Sequence, residues 1–152
     1  MSVVERIRYA ELDEISALES LKRRSRLVWE ADRGGPALGT DAVELRAEAI
    51  RERRVRVAAD HEERPVGLSI VRANRGRVFR LEGLFVDPDS VRQGVGRLLV
   101  ADVMERAERR RASWVEVIAD PRAQGFYRRL GFRRAGEVTT RIGPAVRMGR
   151  PC

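Results

Sequence analysis

Apolar positions along the chain follow two rhythms. Leu12, Ile15, Leu18 and Leu21 recur at helical spacing, which predicts a helix over Leu12–Arg24, started by Asp13, after a strand at Arg6–Ala10. A second helical piece is expected at Ser25–Ala31. After the loop Arg33–Thr40, with its Gly-Gly-Pro run, a third is expected at Ala42–Glu52, capped by Thr40 or Asp41. The middle of the chain changes character. Arg54–Ala59, Pro65–Ala73 and Val78–Val86 are β-branched runs parted by His-Glu-Glu-Arg and Asn-Arg-Gly-Arg turns, the pattern of an antiparallel meander. Helical spacing returns over Gly94–Arg111, where Val95, Leu98, Leu99, Val103, Met104 and Ala107 form one apolar stripe and Arg109, Arg110 and Arg111 match the negative end of the helix dipole. Then come a strand at Trp114–Ala119, a short helix at Arg122–Leu130, a strand at Phe132–Val138, and an extended piece at Ala145–Gly149 that closes the sheet. This order predicts an α/β sandwich built on a mixed sheet.

The 152 residues suit a single domain, 1–152, large enough to bury a core without cross-links. No repeat or low-complexity tract divides it. The one cysteine, Cys152, can form no internal disulfide, and no apolar segment has the length of a signal peptide core or a membrane span. A cytoplasmic protein is therefore expected, with no membrane partner. With one histidine, His61, set in a turn, and one cysteine, no metal-ligand cluster of known spacing exists and no metal is expected. The net charge of +8 is almost wholly arginine, Lys22 being the only lysine among 31 basic residues. Its distribution is uneven: residues 10–49 hold nine acids and six bases, so a cationic ligand and an anionic one would prefer different ends of the molecule. Aromatic residues make up 5% of the chain and do not interleave with the basic ones, so a nucleic-acid partner is not expected.

The chemistry concentrates at Leu81–Gly96, Leu-Glu-Gly-Leu-Phe-Val-Asp-Pro-Asp-Ser-Val-Arg-Gln-Gly-Val-Gly. An apolar strand runs through a Pro turn into a Gly-x-Gly pair at the head of the longest amphipathic helix. Such a pair allows backbone to approach a phosphate that the helix dipole attracts; it also serves as a plain strand-to-helix turn. A P-loop is excluded, because no Gly-Lys-Ser/Thr is present, and so is the dinucleotide fingerprint, because Leu99 stands where its third glycine belongs.

A second segment decides the direction. Asp120–Phe132, Asp-Pro-Arg-Ala-Gln-Gly-Phe-Tyr-Arg-Arg-Leu-Gly-Phe, follows the strand Trp114–Ala119. Together the two segments resemble the GNAT superfamily of acyl-CoA-dependent N-acyltransferases. Gly94 and Gly96 match its Arg/Gln-x-x-Gly-x-Gly/Ala motif, and Ala123, Phe126, Tyr127, Gly131 and Phe132 match its Asn-x-x-Ala-x-x-Phe-Tyr-x-x-x-Gly-Phe motif. The resemblance implies a mixed, mostly antiparallel sheet flanked by helices and split between the fourth and fifth strands. It implies acetyl-CoA as co-substrate, with pantetheine paired to the backbone of Leu84, Phe85 and Val86, and pyrophosphate on the amides of Gln93, Gly94, Val95, Gly96 and Arg97. Arg92, Asp120, Ala123 and Phe126 complete the implied cofactor site. Two positions depart from the family pattern. Val91 stands where Arg or Gln is usual, with Arg92 and Gln93 beside it, which leaves the work to backbone N–H groups. Asp120 stands where Asn is usual, and a carboxylate cannot donate.

Direct transfer of an acetyl group to a primary amine of a small molecule or peptide is the implied reaction. Tyr127 matches the general acid, and Glu82, a carboxylate inside an apolar strand, is the candidate base. Glu116 ranks below it. The acceptor is implied to enter at Trp29–Glu48 and Thr139–Val146, with Trp29 as a wall and Glu30 or Asp32 drawing an ammonium. A homodimer is the default expectation. Two other functions fit less of the chain: acylation of a nucleic-acid-linked amine such as aminoacyl-tRNA or a ribosomal protein terminus, and non-catalytic sensing of acyl-CoA.

Overall fold

The computed structural model describes residues 3–33, 45–73, 75–140 and 143–152, and for residues 26–33 and 75 the backbone only. In chain order the elements are β1 (Arg6–Tyr9), α1 (Ile15–Arg33), α2 (Ala47–Arg51), β2 (Val55–Ala59), β3 (Pro65–Ala73), β4 (Val78–Val86), α3 (Val95–Arg109), β5 (Trp114–Ala119), α4 (Gln124–Arg129), β6 (Arg133–Thr140) and β7 (Gly143–Pro151). The seven strands form one sheet in the order β1-β2-β3-β4-β5-β7-β6. Every neighbouring pair is antiparallel except β4 and β5, which run parallel with α3 as the crossover between them.

Each face of the sheet has its own packing. On one face Val100, Val103 and Ala107 of α3 and Tyr127 of α4 meet Phe79, Leu81, Val115, Val117 and Met148. On the other, Leu18 and Leu21 of α1 and Ala49 and Ile50 of α2 meet Val55, Val57, Leu68, Ile70 and Phe85. Leu18, Leu68, Leu81 and Leu99 are fully buried, and truncating such a residue costs about 2–5 kcal/mol.

Four local expectations change. The two helical pieces predicted from Leu12 to Ala31 are one helix, because no Gly or Pro interrupts the segment. A 3-10 turn at Leu12–Glu14 leads into it, and Glu14, rather than Asp13, closes that turn by accepting the Glu11 N–H at 2.9 Å. The helix predicted over Ala42–Glu52 begins only at Ala47, after an extended Arg46, and the proposed cap at Thr40 or Asp41 lies outside the described residues. On α3 the buried stripe takes in Val100 and Arg106 and leaves Leu98 36% exposed. Arg106 can be buried because its guanidinium covers the rings of Tyr9 and Phe79 and donates to Arg53 O at 3.0 Å. Finally, the last strand does not close the sheet. β7 inserts between β5 and β6, and the exposed β6 becomes the edge.

Candidate active site

The site begins where the parallel ladder stops. β4 and β5 pair from Val78↔Trp114 to Leu81↔Val117. Both strands continue, β4 to Val86 and β5 to Ala119, but the ladder does not. The cause is one residue. On the other side of β4 the register runs Ile70↔Gly83 and then Val71↔Leu81, so Glu82 is the extra residue of a β-bulge. A bulge bends its strand and increases the local twist, which carries β4 away from β5 directly after Leu81. It also exchanges the faces of the strand. Phe79 and Leu81 lie under α3, but beyond the bulge Phe85 packs with Leu18 and Leu21 of α1, while Leu84 and Val86 turn toward Val95 and Leu99.

The glycine segment lies across the end of this opening. Asp87 accepts the Asp89 N–H at 3.0 Å and pairs with Arg24 of α1 at 2.8 Å, which fixes a 3-10 turn at Pro88–Ser90. Arg92 and Gly94 then take the left-handed conformation, with φ of 68° and 80°. Gly94 caps α3, and the first helical hydrogen bond runs from Leu98 N–H to Gly94 O. The amides of Val95, Gly96 and Arg97 therefore open the helix without an intrahelical acceptor, at the positive end of its dipole. A Cβ at Gly94 would meet nothing nearer than Arg97 Nη2 at 3.8 Å, so there is room in front of the loop. Gly96 is small for another reason. A Cβ there would fall 3.2 Å from Phe126 Cζ, so the two sequence segments touch at this point.

From the β5 side, Asp120 closes the turn Pro121–Ala123. Its buried carboxylate accepts the Arg122 N–H at 2.7 Å and the Arg122 guanidinium at 2.9 and 3.1 Å, which raises the arginine's pKa. α4 then brings Tyr127 inward, edge-on to Phe126 at 5.0 Å and to Phe132 at 5.5 Å. Tyr127 is buried, and desolvation pushes its phenol well above the ordinary tyrosine value. The group stays protonated, and its hydroxyl has no hydrogen-bond partner among the described residues.

Glu82 has partners. Its Oε1 meets Arg72 Nε at 3.1 Å and Arg54 Nη1 at 3.4 Å, whereas Oε2 has none among the described residues. Glu116, which ranked second as a base, is held more completely: Arg80 lies 2.8 Å from Oε2 and Arg147 3.1 Å from Oε1. A depression of about 480 Å³ lined by Trp114, Gly131, Arg133, Gly149, Arg150 and Pro151 lies at the start of β5, with Gly149 directly opposite Glu116 in the β5–β7 ladder.

A strand pair opened by a bulge, a helix start facing the opening and a protonated tyrosine beside it invite comparison with known folds. The acetyltransferase (GNAT) domain family matches the chain over residues 38–148. The chain belongs to the GNAT acetyltransferase family. Among known proteins, the peptidyl-lysine N-acetyltransferase YjaB of Salmonella typhimurium is 29% identical over 93 residues, covering 61% of this chain and 59% of its own. The crystal structure of nourseothricin acetyltransferase is 29% identical with a TM-score of 0.57, covering 64% of each chain. The GNAT chain thus spans under two thirds of the length of both relatives. A phosphinothricin acetyltransferase from Sinorhizobium meliloti, solved with acetyl-CoA, aligns over 96% of this chain and 87% of its own at a TM-score of 0.70 and 16% identity, a likeness of fold alone.

Leu84, Val86, Gly94, Val95, Gly96, Ala123, Phe126 and Tyr127 lie around the split. Phe85 is there only through its backbone, since its side chain is core. Arg92, Gln93 and Arg97 are exposed beside the loop, and Val91, at 49% exposure, faces outward. The side chains of Trp29 and Glu30 lie outside the described residues. Sequence reasoning missed the bulge and the four arginines, Arg54, Arg72, Arg80 and Arg147, that clasp the two strand carboxylates. Only the register of Arg80 opposite Glu116, the third pair of the parallel ladder, would have signalled one of them.

Proposed function

We propose that this GNAT protein is an acyl-CoA-dependent N-acetyltransferase that moves an acetyl group from acetyl-CoA to a primary amine of a small molecule or peptide by direct transfer. The observation that carries the reading is the end of the β4–β5 ladder at the Glu82 bulge, with the start of α3 and the buried Tyr127 side chain packed beside the diverging strands. Acetyl-CoA fits these residues. The edge of β4 past Leu81 has no partner from β5, there is room in front of Gly94, and Tyr127 holds a donor with no acceptor of its own among the described residues. The acetyl-CoA complex of the Sinorhizobium relative and the acetyltransferase activities named for the other two support the same reading.

Each residue then has one task. The backbone of Leu84, Phe85 and Val86 pairs with the pantetheine arm as an added strand, and Ala123 and Phe126 wall it. The amides of Gln93 to Arg97 hold the pyrophosphate, with Arg92 and Arg97 adding charge nearby. Asp120 shapes the turn beneath the arm through its bonds to Arg122 rather than by donating. Bound acetyl-CoA supplies an activated acyl carbon and a thiol leaving group. Glu82 accepts the proton that the attacking amine must lose, at its unpartnered Oε2. Tyr127 would fill the general-acid position by donating a hydrogen bond to the sulfur as negative charge develops there, and the proton taken by Glu82 would pass to the released thiolate, which returns both groups to their starting states. Trp29 and Glu30 border the acceptor entrance.

The test is a pair of measurements. Calorimetry should show acetyl-CoA binding, and its absence would sink the proposal. Tyr127→Phe should lower kcat about 10²-fold or more while leaving acetyl-CoA affinity unchanged; an unaltered kcat would remove Tyr127 as the acid.

A further inference from the structure

On the sheet face that carries α1 and α2, the polar residues around the split form a row with an excess of positive charge. Glu82 lies on this face two residues after Arg80, with Arg72 and Arg54 on its Oε1. Arg72 stands directly opposite Arg80 across β3 and β4, and Arg80 opposite Glu116 across β4 and β5. Arg147 of β7 completes the row at Glu116. Four guanidiniums thus meet Glu82 and Glu116, and one of them, Arg54, also reaches Glu52 at 3.3 Å. The placement has a cost, because like charges directly opposite across a ladder destabilise a sheet.

The arginines also keep donors in reserve. Arg72 reaches Glu82 through Nε alone, so its terminal fork, on a side chain 53% exposed, has no acceptor among the described residues. Arg80 uses Nε and Nη2 on Glu116 and keeps Nη1. A guanidinium fork matches a carboxylate in shape and charge. Next to it, Glu82 presents the one oxygen of this row with no partner among the described residues. An acceptor bearing only positive charge would meet a surface of its own sign. In the described part of the acidic stretch noted in the sequence, Glu14 is paired with Arg8 and Glu19 with Lys22, while Glu11, Asp13 and Glu48 have no ion pair among the described residues.

We propose that the acceptor is an amino acid: a small primary amine with a carboxylate next to it, its amine at Glu82 and its carboxylate on the Arg72 fork beside Arg80. The unlike charges of this corner, one carboxylate next to guanidiniums, are the complement of a zwitterion. The inference rests on the acetyltransferase reading and narrows its substrate class.

The experiment measures thiol release from acetyl-CoA with a panel of free amino acids, the matching amino acid carboxamides and, as cationic controls, polyamines. Acetyl-CoA binding is measured in parallel by calorimetry. A carboxamide keeps the amine and side chain and loses only the charge, and its less basic amine is the better nucleophile at neutral pH. The expected result is a kcat/KM at least tenfold higher for at least one acid than for its carboxamide. Arg72→Gln should erase that ratio chiefly through the KM of the acid, and Arg72→Lys should restore part of it. Because the ratio compares two acceptors on one protein, a general loss of activity in the variant cancels. Equal use of acid and carboxamide, a preference for polyamines, or acetyl-CoA binding with no acid consumed would overturn the inference and leave the acetyl-CoA site standing. Failure to bind acetyl-CoA would remove the reading beneath it instead.

Discussion

The two sides of the split are made of different materials. Toward α3 the site is largely backbone, with amides at a helix start, a glycine in the left-handed region and a strand edge past the end of its ladder, and Phe126 and Tyr127 are the side chains packed beside them. Toward α1 and α2 it is side chain: two carboxylates and the arginines that hold them. A backbone site is indifferent to most residue identities but intolerant of any atom that fills its space. The side-chain half is the reverse, since its charge pattern depends on each residue and on the register that aligns them. A common co-substrate on one side and a particular acceptor on the other would divide the work in this way.

Three substitutions probe that contrast, beginning with the largest effect. Glu82→Gln removes the proposed proton acceptor and keeps the shape; kcat should fall about 10²-fold or more with acetyl-CoA affinity unchanged in calorimetry. A loss of affinity instead would mean that the bulge, and not the carboxylate, had been disturbed. Gly96→Val puts branched carbon where even a Cβ stands 3.2 Å from Phe126. We expect a weakening of acetyl-CoA binding of about tenfold or more, together with a lowered Tm from about 1–3 kcal/mol of overpacking. Normal affinity would show that the loop does not approach its ligand closely. The smallest effect is expected at Arg92→Ala. If the loop works through its amides, removing this exposed cation should change the dissociation constant by no more than about threefold, in line with the weak contribution of exposed charges. A tenfold loss would break the contrast by making the phosphate side depend on a side chain.

The same contrast explains what was legible in the sequence. β3, β4 and β5 were read at their observed boundaries, because β-branched runs between turn residues are a local signal. The glycine loop stood out because a Gly-x-Gly pair at a helix start is a local signal, and Phe126 and Tyr127 were singled out only by their resemblance to the GNAT motif. The bulge left none. Burial along β4 alternates without interruption from Val78 to Val86, so the exchange of faces at Glu82 is invisible in the period-two pattern and shows only in the register against β3. Glu82 was expected to need a partner, yet the chain offers so many arginines that Arg54 and Arg72 could not be singled out before the strands were aligned. The place of β7 was likewise a property of long-range pairing, which neither its composition nor its length records.

That place has a consequence for how the molecule comes apart. β6 has no ladder with β5 and joins the rest of the sheet through β7. The two strands form a hairpin of adjacent chain, so they are cheap to close on their own, and they attach to the body of the sheet through the β5–β7 ladder and through Val146 and Met148, which β7 buries in the core. When that attachment opens, both strands leave together. Amide protons of β6 and β7 should therefore exchange with solvent as one cooperative block, with the same opening free energy along its length, while β2, β3 and β4 remain protected.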